Sequence, residues 1–364
     1  MANRPPTQRR AVTGAISGYV LRLIRESIPH TQAGLAELLG MDLASVQGWE
    51  SGRRPLANMR AGQLLDLRRW LPALGADAAL VGMLDAAMDA DRLIGTALDP
   101  GPHDHPLAGW VHTRDTAHMI AWALNGTTPP ALVGRPAPVR RGAVANSPLL
   151  PSQERSTFFA HLRDITEAAS RPGGSVLLRR QALYLASYDR SPEAQDWTAQ
   201  ALHGRRGVLS VRGWSPQWAE ARSTAAALAR QGDPQPLFDY IERAMVDDDD
   251  GEAANLNYWA YWLGATGTPQ PDDAFMRDRG LTGWDAVTLL RRLTQGIHEA
   301  PGYVDLYAHS LWALLTVRPW LPQAAPELVT TLAGRTGRLL DSGRISSRAR
   351  RDLDALQYLL QNDR

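Results

Sequence analysis

The stretch from His30 to Pro55, HTQAGLAELLGMDLASVQGWESGRRP, constrains this chain more than any other, because its spacing describes two short helices crossing at a tight turn. Leu35, Leu39, Met41, Val46 and Trp49 fall where such a unit needs apolar side chains, and Ala36 and Gly40 where it needs small ones. A small residue in the middle of the first helix lets the second cross closely, and a glycine after it can take the left-handed conformation that ends a helix. Asp42 is placed to cap the second helix, since its carboxylate can accept from free N–H groups of that first turn and its charge suits the positive end of the helix dipole. The expected helices run over 31–39 and 42–51, Gly52 closes the second, and Trp49 belongs to the core.

The flanking sequence supplies a frame for this pair. Ile16, Val20, Leu23 and Ile24 form one helical stripe, predicting a support helix over 12–28 that Pro29 stops. Ala57 to Leu71 predicts a further amphipathic helix with Leu64, Leu67 and Leu71 inward and Arg60, Arg68 and Arg69 toward solvent. Together these make a compact domain over 12–75, preceded by residues 1–11, whose three arginines and two prolines read as a flexible basic arm or a plain tail. Charge divides the same way. Residues 1–75 hold ten arginines against five acidic residues, a balance of +5, so with a net charge of +1 the remainder carries −4. A nucleic-acid-binding head on a body with no polyanion to bind has this asymmetry. Every basic residue is arginine, a planar, forked donor suited to phosphate.

The run TQxxLAExLG followed by WExGRRP resembles the Cro-like, XRE-type helix-turn-helix family of bacterial and phage repressors, without gaps from Thr31 to Pro55. The resemblance implies a five-helix DNA-binding domain whose second motif helix enters the major groove of double-stranded DNA. It implies that Gln32 touches a phosphate and braces the recognition helix, that Leu43, Ala44, Ser45, Gln47 and Gly48 face the bases, and that Arg53 and Arg54 grip phosphates. Thr31 and Asp42, which open the two helices, belong to the same DNA-facing set, and Arg25 and Glu50 match positions that often pair. Only Gln47 and Ser45 can hydrogen-bond to a base edge, while Leu43 and Ala44 can meet thymine methyls. Each good bidentate pair supplies about 1–3 kcal/mol of discrimination, so specificity must also come from dimerisation, arm contacts or DNA shape.

Beyond residue 75 the sequence predicts a helical connector over 76–125, a proline- and glycine-rich linker over 126–152, and a body over 153–364 built from helix after helix. The expected helices there are 153–170, 174–188, 191–204, 215–231, 234–246, 251–264, 281–299, 302–317, 323–341 and 346–361. Ser191-Pro192 and Ser215-Pro216 mark helix starts, with serine as cap and proline at the first helical position. Strand signals are almost absent, so the fold class is all-α: a five-helix head followed by an array of helical hairpins, α-solenoid-like or a degenerate tetratricopeptide-like series. Leu353, Leu356 and Leu360 form a stripe on the last helix that serves either a dimer contact or ordinary core packing.

Chemistry-bearing motifs are few. His103 and His105 lack a third placed ligand and read as a loop; the acidic run Asp247 to Asp250 fails the spacing of a calcium loop and reads as a helix cap. No phosphate-binding loop, nucleophile elbow or carboxylate pair points to an enzyme, and no cofactor is expected. With no cysteine, no long apolar run and no signal-like start, a cytoplasmic protein without a membrane partner is expected. The stretch EAANLNYWAYWL places Asn255, Tyr258, Trp259 and Trp262 at helical spacing with Asn257 beside them, and Tyr303, Tyr307, His309 and Trp312 recur on a later helix. Asn255, Asn257, Tyr258, Trp262, Tyr307 and Trp312 are thus candidates to bind a small-molecule or peptide effector, against the plainer reading that they form hairpin core. The sequence reads as a homodimeric transcription regulator on an inverted repeat. The competing reading is a scaffold whose head docks on a protein.

Overall fold

The computed structural model describes residues 14–100, 105–135, 146–297 and 300–362. Among these the chain is all-α, with no strand, and it divides into two compact units: residues up to 108 with 115–168, and 109–114 with 169 onward. No helix among the described residues is long and apolar enough to cross a membrane. The basic arm, Arg140 and Arg141 of the linker, and His103 lie outside the described residues.

The first unit is built from α1 (Ala15–Glu26), α2 (Gln32–Leu38), α3 (Leu43–Glu50), α4 (Ala61–Ala73), α5 (Ala78–Leu98), most of α6 (Pro106–Gly109) and α7 (Arg114–Asn125), and α8 (Ser152–Ala168). Helix α1 packs on one side against α3 and on the other against α5. It has no side-chain cap of its own. Asp91, buried on α5, takes that role from a distance, accepting from Ile16 N at 3.0 Å and Ser17 N at 2.9 Å. The region read as a connector therefore holds a principal core helix of this unit. So does α8, which the sequence assigned to the body and which packs on α5 through the first unit's core. The expected linker is pinned at its far end, where Tyr19 donates to Asn146 O at 2.6 Å and Leu150 N donates to Ala123 O at 2.9 Å. The single helix expected over 57–71 is instead a short turn at Leu56–Asn58 followed by α4, because Met59 and Arg60 take extended backbone between them.

The second unit contains α9 (Val176–Ala186), α10 (Pro192–His203), α11 (Trp218–Arg230), α12 (Gln235–Ala244), α13 (Asp249–Trp262), α14 (Ala286–Gly296), α15 (Tyr303–Val317), α16 (Leu321–Ala324), α17 (Pro326–Ser342) and α18 (Ser347–Asn362). Successive helices pair as hairpins, and α15 lies at the centre, packed against α12, α13, α14 and α18. Pro192 opens α10 at its first position as expected, but Ser191, at the N-cap, makes no side-chain capping bond. Ser215 does not open α11: its carbonyl accepts from Trp218 N at 2.9 Å and its hydroxyl from Gln217 N at 3.1 Å, so it closes a turn one step earlier. Asp248 caps α13 by accepting from Gly251 N at 2.6 Å, the role read for the acidic run. Leu353, Leu356 and Leu360 are core, buried where α18 meets α15 and α17. The loop 109–114 is held by side chains of this unit: Gln181 accepts from His112 N at 2.7 Å and donates to Trp110 O at 3.0 Å, while Tyr261 donates to Val111 O at 2.5 Å. Buried backbone outside regular structure needs such partners.

Candidate nucleic-acid interface

Helices α2 and α3 are short, and the turn between them fixes their crossing. Gly40 takes φ +61, and Met41 N donates back to Ala36 O at 2.8 Å, ending α2 in the left-handed closure its sequence foretells. Thr31 caps α2, its hydroxyl accepting from Gly34 N at 3.1 Å. Asp42 caps α3, one carboxylate oxygen accepting from Ser45 N and the other from the Ser45 hydroxyl, both at 2.7 Å. The Ser45 hydroxyl first, and its backbone N–H next, hold the Asp42 carboxyl below the usual carboxylate range.

The inner side of α3 is fastened from two directions. Leu35, Val46 and Trp49 are buried between α1, α2 and α3. Glu50, also buried, accepts from Arg25 through both oxygens, Nε at 2.5 Å and Nη2 at 3.0 Å, and from Gln32 Nε2 at 2.7 Å. Arg25 also reaches His30 O at 3.3 Å, so one arginine and one glutamate connect α1, the start of α2 and the end of α3. Gly18 of α1 sits directly under this end of α3, where a Cβ would lie 2.2 Å from Trp49 O.

The outward side of α3 presents Leu43, Ala44 and Gln47 to solvent, with Arg53 and Arg54 exposed just beyond it and Thr31 and Asp42 exposed at the helix starts. Ser45 and Gly48 do not join that surface. Ser45 is buried, its hydroxyl donating to Asp42 and accepting from Arg54 Nη1 at 2.9 Å. Gly48 is buried beneath the Arg54 stem, whose Cδ would meet an added Cβ at 2.9 Å. The resemblance to the XRE-type family implied that both face the bases, but such a resemblance carries no information about an arginine folding back over the helix. Gln32 is half-buried and its amide is spent on Glu50, which braces α3 from behind.

The second candidate group comes together in part. Asn255 is buried and donates to Ser310 Oγ at 2.9 Å, the hydroxyl that Trp259 Nε1 also reaches at 2.9 Å. Tyr258 stacks on Trp262 with ring centroids 6.1 Å apart, and Tyr307 lies 4.8 Å from Trp259. Asn257 is directed elsewhere, donating to Met276 O at 3.1 Å and Asp278 O at 2.8 Å and accepting from Trp284 Nε1 at 2.8 Å. Trp312 stands apart beside His309, 5.7 Å between rings. The sequence reading passed over Arg222, buried against this group with its guanidinium 3.9 Å above the Tyr258 ring and 4.6 Å above that of Trp259. A signal existed: Arg222 falls four residues after Trp218 and three before Ala225, on the apolar stripe of α11.

No family model, no curated protein and no solved structure matches this chain.

Proposed function

We propose that the chain is a sequence-specific DNA-binding transcription regulator that acts as a homodimer on an inverted repeat, with α3 in the major groove and the second unit serving dimerisation, effector sensing or both. The observation that supports it best is a short helix fastened from behind by Arg25, Glu50 and Gln32, whose outward side carries Leu43, Ala44 and Gln47 with Arg53 and Arg54 at its exit. A rigid helix with a small, low-charge outer surface can enter a groove, while cations at its end meet the phosphates that flank it. Gln47 is the side chain on that surface able to pair with adenine, and Leu43 and Ala44 suit thymine methyls. Two heads related by a two-fold axis would stand about 34–36 Å apart, or a multiple of that.

A gel shift of the full chain on its own upstream DNA, across a salt series, tests this. Replacing Arg53 and Arg54 together by alanine is expected to weaken binding on every sequence and lower the salt slope by about 2, roughly one per lost phosphate contact. Gln47→Ala is expected to lower operator affinity more than affinity for random DNA. An unchanged slope refutes the phosphate roles. The exposed leucines Leu38 and Leu43 favour the competing reading of a head that docks on protein, and absence of any shift at low salt would select it.

A further inference from the structure

We propose that Arg222 anchors a binding site in the second unit for a small organic carboxylate with a flat apolar body. This goes beyond the DNA-binding reading and does not depend on it. Arg222 lies on α11 with 5% of its surface exposed, its guanidinium carbon 3.9 Å above the Tyr258 ring and 4.6 Å above that of Trp259. Ring faces attract the cation but offer its N–H groups no lone-pair acceptor. Two of these, Nε and Nη2, are buried without a hydrogen-bond partner. They are adjacent on one edge, the fork whose geometry matches the two oxygens of a carboxylate.

Two other arginines show what that edge does in this chain. Arg25 presents Nε and Nη2 to the two oxygens of Glu50, and Arg179 presents the same pair to Glu220, Nε to Oε1 at 3.0 Å and Nη2 to Oε2 at 2.8 Å. Arg222 presents the same fork and is more deeply buried than either, yet no carboxylate among the described residues pairs with it. A buried cation without a counter-charge is costly, and a fold that keeps one gains it back when an anion arrives.

The surroundings specify the rest of the ligand. From Arg222 the ring contacts continue through Tyr258 to Trp262, on to Tyr184 at 5.5 Å, and end on Arg230, whose guanidinium lies 4.8 Å above Tyr184 and donates to Ser187 Oγ at 3.1 Å. Trp262, Tyr184, Tyr188 and Tyr303 are half-buried, so this aromatic path runs from the buried cation toward solvent. Tyr188 donates to the Tyr184 hydroxyl at 3.0 Å and Tyr303 donates to Ala226 O at 2.8 Å, so the Tyr184 hydroxyl is the phenol of this group with a proton to offer. Guanidinium, that phenol and ring faces together suit an anionic head on an aromatic body.

The test uses the full chain titrated with indole-3-carboxylate, indole-3-carboxamide and inorganic phosphate, read by one-dimensional ligand-observed NMR and by thermal shift. The carboxylate is expected to bind saturably, with the carboxamide at least about tenfold weaker, the loss of one charge-assisted fork. Arg222→Met keeps the volume and removes the lone charge. It is expected to melt no lower than the parent and to lose carboxylate binding by the same factor, whereas an arginine kept only for its ring contacts predicts a lower melting temperature and no change in binding. Arg206→Gln, on a surface pair with Asp233, is the control expected to leave binding unchanged. Equal binding of carboxylate and carboxamide, binding of phosphate but not carboxylate, retention of binding in Arg222→Met, or no binding at all each overturns the proposal. DNA binding is scored separately, so its failure leaves this result intact.

Discussion

Gly18 decides how near α1 can come to α3, and two opposing effects meet at it. On an exposed helix, replacing glycine by alanine stabilises by about 1 kcal/mol because the unfolded chain loses freedom. Here the new methyl carbon would lie 2.2 Å from the Trp49 carbonyl oxygen and 3.1 Å from Gly52 N, both backbone atoms that cannot rotate away. Overpacking of this kind costs about 1–3 kcal/mol, so the clash is expected to win and Gly18→Ala to lower the urea midpoint. A raised midpoint would show that α1 can slide outward at no expense. The spacing of apolar residues revealed that α1 supports the motif, but not that one of its glycines sets the distance. That requires knowing which backbone passes above it. The same limit explains Ser45 and Gly48: their helical positions were legible, whereas the fold-back of Arg54 over them was not, because it depends on a hydroxyl made available by the Asp42 cap.

At the scale of elements, the sequence located the helices well and their partners poorly. Asp77 caps α5 near the start of the expected helical connector, accepting from Ala79 N at 2.7 Å, and the expected helices of the body recur within a few residues of their predicted ends. Helical periodicity and cap residues are local, so they survive without knowledge of the fold. The assignment of α5 to a connector missed its packing on α1 because nothing local says which helix an apolar stripe will meet. Asp91 is the sharpest case, a carboxylate that caps a helix 74 residues earlier in the chain. Its removal should be felt at α1. Asp91→Ala leaves the N–H groups of Ile16 and Ser17 buried without an acceptor and is expected to destabilise the first unit by about 1–3 kcal/mol. Asp91→Asn, which keeps an acceptor oxygen, is expected to cost less. Hydrogen exchange checks this, with faster exchange at the start of α1 in the alanine variant; equal protection of Ile16 and Ser17 in both would refute the cap.

For the molecule as a whole, two units with separate cores predict that a local change in protonation will be felt by one unit and not the other. His309, 2% exposed on α15, supplies the means. Its Nε2 lies 2.9 Å from Glu252 of α13 and its Nδ1 3.8 Å from Asp352 of α18, with Arg348 on the far side of Asp352 at 3.8 Å. Burial alone would depress the imidazole, but the carboxylates of Asp352 and Glu252 outweigh it and raise His309 to about 9. A folded value above the unfolded one means that the charged ring stabilises the fold. That contribution is complete below about 6.5, declines as the unfolded chain ceases to bind the proton, and is gone once pH passes about 9. The shift corresponds to about 3 kcal/mol. Melting of the second unit, followed by amide exchange in α13, α15 and α18, is therefore expected to fall between pH 6.5 and 9 in the parent. His309→Gln should flatten that fall, and α1 and α5 of the first unit should show no matching loss. A parallel decline in both units, or one that survives in His309→Gln, would place the pH sensitivity elsewhere and leave α15 held by its apolar contacts alone.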